Sequence, residues 1–214
     1  ASGMNGFTRD LSQGEIVEQV LMVMRKGKCR LSNIVFMGMG EPLDNYDALV
    51  RSIRILNDPD GINIGARKMT VSTCGIVPGI LRLKDLGLQV ELSVSLHAAD
   101  DRLRDELVPV NRKYPLEELI SAIETYHKAT RRVVTLEYTL IKGKNDSLTD
   151  ADRLSRVAKR VKAKVNLIPC NAFAEARCGK TGKRQTWLFK DRLRSRGVNA
   201  TVRASRGEDV MRSE

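Results

Sequence analysis

The chain has 214 residues, 42% of them hydrophobic, and a net charge of +11. Length and apolar content exclude a disordered chain and fit one domain with its own core, or a large part of a bigger one. No apolar run approaches the roughly 20 residues that a membrane helix needs.

Apolar periodicity switches repeatedly between strand and helix patterns. Ser12 opens a helix with Glu15 in capping-box spacing, Ile16, Val17, Val20 and Met24 line one face of it, and Gly27 ends it. Residues 33–37 read as a short buried strand, followed by the turn Gly38-Met39-Gly40-Glu41-Pro42. A helix over 46–56 stops at Asp58-Pro59-Asp60-Gly61. A strand over 68–72 and a helix over 78–86 follow, then an alternating strand over 89–96. Two helical stretches, 101–106 and 116–128, lead to a β-branched strand over 133–141. A helix from Thr149 to about Lys162, a strand over 164–168, a helix over 186–196 and a strand over 198–203 complete the chain.

This alternation predicts an α/β fold with six parallel strands joined by right-handed crossovers. No GxGxxG follows a strand, which counts against a dinucleotide-binding sheet and leaves a barrel or partial barrel. In barrels the chemistry sits beyond the C-terminal ends of the strands. Polar and glycine-rich residues collect at those ends: Gly38 to Pro42, Ser72 to Gly75, Ser95 to His97, and Pro169 to Asn171. Each stretch alone is no more than a turn, a hydrogen-bonded histidine or a turn-forming asparagine. Their convergence on one rim is the pattern of a ligand pocket. A chain that opens on a helix is expected to lack the strand before it. The start, Ala1-Ser2-Gly3-Met4, is not a signal peptide and reads as a fragment boundary.

The four cysteines, Cys29, Cys74, Cys170 and Cys178, form no CxxC pair. Reduced thiols and a cytoplasmic setting are the expectation. Cys170 and Cys178 have no second pair or close histidine to complete a metal site. The charge is one-sided. Residues 1–141 hold 18 Lys/Arg against 18 Asp/Glu, and residues 142–214 hold 19 against 8. Such a flank attracts phosphate backbones through counterion release, and equally describes a solvated face.

Several stretches in combination resemble the RlmN/Cfr type of radical S-adenosylmethionine RNA adenine methyltransferases. Residues 1–11 with Glu15 and Ile16 are similar to the segment that follows the family's CxxxCxxC motif. Residues 36–46 resemble its GMGEPL segment, and residues 70–78 its serine-containing strand turn. Ser95-Leu96-His97-Ala98, residues 102–111, residues 137–141 with Asn145 and Asp146, residues 166–171 and residues 205–209 also match.

The resemblance implies a radical-SAM partial (β/α)6 TIM-like barrel over residues 1–214, with the first strand and cluster loop missing. It implies S-adenosylmethionine and a 4Fe–4S cluster as cofactors, and methylation of adenine C2 in 23S ribosomal RNA, and in some members in transfer RNA, through a methyl-cysteine. Gly40 and Glu41 would hold the amino-acid end of S-adenosylmethionine. Ser72, Ser95, Leu96, His97 and Asn171 would line the rest of its pocket. An electron donor for the cluster is a further implied partner. The cluster cysteines are expected upstream of Ala1. The methyl-carrying cysteine and the proton acceptor are also expected outside the chain, so either the chain is truncated at both ends or it belongs to a relative without the methyl-cysteine step, and the chain alone is expected to be inactive. A radical-SAM relative with another substrate, or a non-catalytic basic RNA-binding α/β module, is the alternative. The second is weakened by the lack of RNP-type aromatics.

Overall fold

The computed structural model describes residues 6–28, 31–170 and 181–203. Helix α1 (Gln13–Gly27) starts at the expected capping box: the Glu15 N–H donates to Ser12 Oγ and the Ser12 N–H to Glu15 Oε2. Then follow β1 (Ile34–Phe36), α2 (Tyr46–Asn57), β2 (Met69–Thr73), α3 (Val77–Leu83), β3 (Glu91–Ser95), α4 (Asp101–Leu107) and α5 (Leu116–Thr130). The series continues through β4 (Thr135–Leu140), α6 (Leu148–Arg160), β5 (Lys164–Pro169) and α7 (Lys183–Ser195) to β6 (Ala200–Val202). Short 3-10 turns sit at Ala66–Lys68 and Pro109–Arg112.

The six strands form one sheet in sequence order, β1 to β6, and every neighbouring pair is parallel. A doubly wound sheet reverses its strand order at a switch point, and this sheet never does. Single winding is the topology of a barrel, here as a six-stranded open arc. β3 ends at Ser95, one residue before the periodicity suggests, because His97 takes a left-handed φ of 56° and the chain turns there. α7 begins at Lys183 rather than 186, with Gly182 as its N-cap residue.

Side chains of paired residues in a parallel ladder lie on the same face. One face carries Phe36, Val71, Leu92, Val94, Leu136, Tyr138, Val165 and Leu167, all buried. The helices cover it with Leu49, Ile53, Ile80, Leu119, Ile123, Leu154 and Phe189, which belong to the same apolar cluster. Each such side chain contributes roughly 1.5–3 kcal/mol on burial, so this layer holds the arc together. The opposite, concave face is different in kind. It carries Ser72, Ser93, Ser95, Thr135, Glu137, Thr139, Asn166 and Thr201. A structural core does not collect hydroxyls, an amide and a carboxylate on one face. The concave face is therefore built to be filled by something polar. No helix among the described residues is long and apolar enough to cross a membrane.

Candidate functional site

Glu41 ties the first two rim loops together. Its Oε1 accepts the N–H of Leu43 at 2.9 Å, within its own loop, and its Oε2 accepts the N–H of Cys74 at 2.7 Å, in the loop after β2. The loop before it needs its glycines. A Cβ on Gly38 would stand 2.6 Å from the Gly40 carbonyl oxygen, and Gly40 itself has a φ of +142°. The chain therefore doubles back tightly at the end of β1 and leaves its backbone exposed at the rim.

The next brace is a buried cation. Arg104 is fully buried, and its guanidinium reaches three carbonyls on two strand ends. Nη2 donates to the Cys74 oxygen at 2.7 Å and Nε to the Leu96 oxygen at 3.2 Å, with a longer contact from Nη2 to Ser95. Nη1 donates to Asn111 Oδ1 at 2.7 Å. The Asn111 amide in turn donates to Asp101 and Asp105, which supply the balancing charge. Burial lowers the Arg104 pKa, and the neighbouring acidic groups work against that. Gly75 is bare because a Cβ there would come within 3.1 Å of the guanidinium.

His97 closes the third strand end. Its Nδ1 accepts the Thr139 N–H at 3.1 Å, so the proton of the neutral ring sits on Nε2. Its carbonyl accepts from Asn145 Nδ2 at 2.8 Å. Asn145 is fully buried and also donates to the Thr139 carbonyl and accepts the Ile141 N–H, which knits β3 to β4. Burial, with a smaller contribution from Arg104, lowers the His97 pKa to about 4. An unfolded histidine takes its proton near pH 6.5, so as pH falls the unfolded chain is protonated first. Folded stability from this residue is complete above pH 6.5 and is lost between 6.5 and 4, by about 3 kcal/mol at most. The expected result is a urea midpoint that declines over that window in the wild type and declines less in His97→Gln. Parallel curves would remove His97 as the cause.

Glu137 lies at the centre of the concave face. In register it stands between Ser95 of β3 and Asn166 of β5, and Asn166 faces Thr201 of β6. Asn166 Oδ1 accepts from Thr201 Oγ1 at 3.2 Å. The Glu137 carboxylate has no hydrogen-bond or ion-pair partner among the described residues, and the buried Ser93 hydroxyl below Ser95 has none either. Lower in the arc, Glu91 pairs with Arg132. An unpartnered carboxylate and an orphaned hydroxyl on one concave face are groups prepared for a polar ligand.

The radical SAM superfamily model matches residues 4–154, which contain the first four strands and the braces described above. The chain belongs to the radical SAM superfamily. Two curated relatives share one name. The chain is 42% identical over 210 residues to the probable dual-specificity RNA methyltransferase RlmN of Lachnospira eligens, covering 98% of this chain and 60% of that protein. It is 49% identical over 211 residues to the protein of the same name from Pelotomaculum thermopropionicum, covering 98% and 57%. The chain thus spans about 60% of the length of the curated relatives it matches. A crystal structure of a radical SAM methyltransferase from Sphaerobacter thermophilus superposes with a TM-score of 0.94 at 49% identity, covering 97% of this chain and 62% of that one. The partial-barrel fold and the family resemblance read from the motifs are both borne out.

Gly40, Glu41, Ser72, Ser95 and His97 all lie at the C-terminal ends of adjacent strands or on the concave face beneath them. Leu96 presents its backbone rather than its side chain at the strand end. Its side chain is fully buried in the apolar cluster, and its N–H and carbonyl bond to Glu137 O and Arg104 Nε. Strand alternation explains this: Ser95 faces the concave side, so Leu96 turns to the core. Asn171, Cys29 and Cys178 lie outside the described residues. Arg104, Asn111 and Asn145 were inside the matching stretches, but nothing in their spacing marked them as braces. Glu137 was missed for a different reason: its signal is a polar residue at an alternating strand position, and its importance depends on which face is concave.

Proposed function

We propose that residues 1–214 are the S-adenosylmethionine-binding core of a radical SAM RNA methyltransferase that acts on C2 of adenine in 23S ribosomal RNA, and in transfer RNA. The observation that carries the reading is the concave face: an unpartnered Glu137 and an orphaned Ser93 hydroxyl lie on the same sheet face as Ser72 and Ser95, below the strand ends at Gly40 and His97. These groups fit a nucleoside with an amino-acid tail. The exposed backbone around Gly40 suits an ammonium group, and Glu41 fixes that backbone. Glu137 would accept hydroxyl donors, and Ser72, Ser95, the neutral His97 and Asn171 would complete the lining. Leu96 would take part through the position of its backbone alone.

When bound, one S-adenosylmethionine would give its methyl group to a cysteine, and a second, cleaved reductively at a 4Fe–4S cluster, would supply the radical. The described residues hold no group of three or more metal-binding side chains. Cys74 does not suit a cluster ligand: burial first, then the Glu41 charge, pushes its thiol up to about 12, and ligation requires the thiolate. The resemblance implies that the cluster cysteines belong to the CxxxCxxC segment that precedes the stretch matched by residues 1–11. RNA and an electron donor are the partners of this reading, in the cytoplasm.

The test uses the full-length protein with its cluster reconstituted. Calorimetry is expected to give S-adenosylmethionine binding in the wild type, weakened roughly tenfold or more in Glu137→Gln, because a buried bond to a charged acceptor is worth about 1.5–3 kcal/mol. Mass spectrometry of treated 23S and transfer RNA is expected to give 2-methyladenine. A wild type without affinity for S-adenosylmethionine defeats the reading.

A further inference from the structure

The four cations of α6 fall into two groups. Arg153 lies against Asp100 and Asp150, and Arg160 binds Glu117 and Glu124. Arg156 and Lys159 have no acidic partner among the described residues. They stand three apart, on the same side of the helix, where like charges repel. Facing them across a cleft of about 360 Å³ are the end of α7 and Arg196. Asp152, on the cleft wall, holds Arg192 in a fork at 2.8 and 2.8 Å, and Arg196 at 3.0 Å. Asp152 thus holds two guanidiniums, while Arg156 and Lys159 line the same cleft. Two of the guanidiniums are held in place, and two cations are left uncompensated.

The position of this cleft separates it from the rim. α6 begins at the end of β4 and runs away from it on the outer, helix-covered side of the sheet. Lys159 is 11 residues along, roughly 16 Å from the helix start at 1.5 Å per residue. No group reacting at the concave face is within reach of these side chains.

Resting on the reading above, we infer that the α6–α7 cleft is a remote anchor for the phosphate backbone of the RNA substrate, with Arg156 and Lys159 as the contacting cations. The Arg156 guanidinium can fork onto phosphate oxygens, and the Lys159 ammonium can meet them as a point charge. The excess of 19 basic over 8 acidic residues in 142–214 adds the long-range field that draws a polyanion to this flank. The anchor grips RNA outside the reacting nucleotide. It therefore acts on substrate capture and leaves the chemical step alone.

The experiment compares full-length wild type with Arg156→Glu/Lys159→Glu, using whole transfer RNA and a trinucleotide around the target adenine as probes. Each phosphate contact adds about 0.7–0.9 to the slope of log affinity against log salt. The double variant is expected to have a transfer-RNA slope shallower by about 1.4–1.8. KM for transfer RNA is expected to rise with kcat held, the trinucleotide to be unaffected, and S-adenosylmethionine affinity to be unchanged. If charge reversal impairs folding, Arg156→Gln/Lys159→Gln gives the same slope change. An unchanged slope overturns the inference. So does turnover lost with an acidic protein reductant and retained with dithionite, which would make the cleft a reductase dock. A wild type that binds no RNA at all defeats the underlying reading instead.

Discussion

Arg104→Met is expected to destabilise the protein by about 3–5 kcal/mol, the range for removing one member of a buried charged network. Methionine fills the volume of the stem and removes every donor. The carbonyls of Cys74 and Leu96 and the Oδ1 of Asn111 then lose their partner in a site closed to water. Asp101 and Asp105 keep the Asn111 amide and lose the nearby positive charge. Arg104→Lys restores the charge from a single nitrogen, which cannot span both strand ends, and is expected to recover less than half of the loss. Arg153→Met is the control: its ion pairs are half exposed, and such pairs are worth about 0–1 kcal/mol. Urea unfolding measures all three. A loss for Arg104→Met no larger than for Arg153→Met would show that the strand ends do not depend on the guanidinium.

The same residue shows what a sequence discloses and what it withholds. The alternation of strands and helices is a local, periodic signal, and the single winding followed from it once no glycine fingerprint supported a double winding. The rim residues were legible because polar and glycine residues at strand ends are unusual in the same local sense. Arg104 was not legible. On α4, amid Asp101, Arg102, Asp105 and Glu106, it looks like one more surface charge. Only the packing of α4 against the ends of β2 and β3 buries it, and that contact joins residues 30 apart. Leu96 shows the opposite case. Ser95 and His97 flank it at the strand end, yet a strand alternates, so its side chain faces the core. Glu137 could not be assigned either, because a period of two identifies two faces and does not say which is concave.

Glu41→Ala is expected to cost about 3–6 kcal/mol, since it removes two hydrogen bonds to a carboxylate at about 1.5–3 kcal/mol each. The loss is local to the rim. The Leu43 N–H and the Cys74 N–H both lose their acceptor, and the loops after β1 and β2 are no longer joined. Ligand affinity in the reconstituted full-length protein is expected to fall at least a hundredfold, because the backbone around Gly40 is set by this clamp. Glu41→Gln gives a graded result. Its side chain keeps one acceptor and turns an NH2 toward the other N–H, so one of the two bonds survives. Cys74 reports on the clamp independently of any ligand. Its thiol stands at about 12, through burial first and the Glu41 charge second, so neutralising residue 41 brings it down and opening the loops brings it down further. Alkylation of Cys74 near pH 9 is therefore expected to run faster in Glu41→Gln than in wild type, and fastest in Glu41→Ala. If affinity falls while the alkylation rate stays at the wild-type value, the carboxylate acts on the ligand directly and the two loops hold together without it.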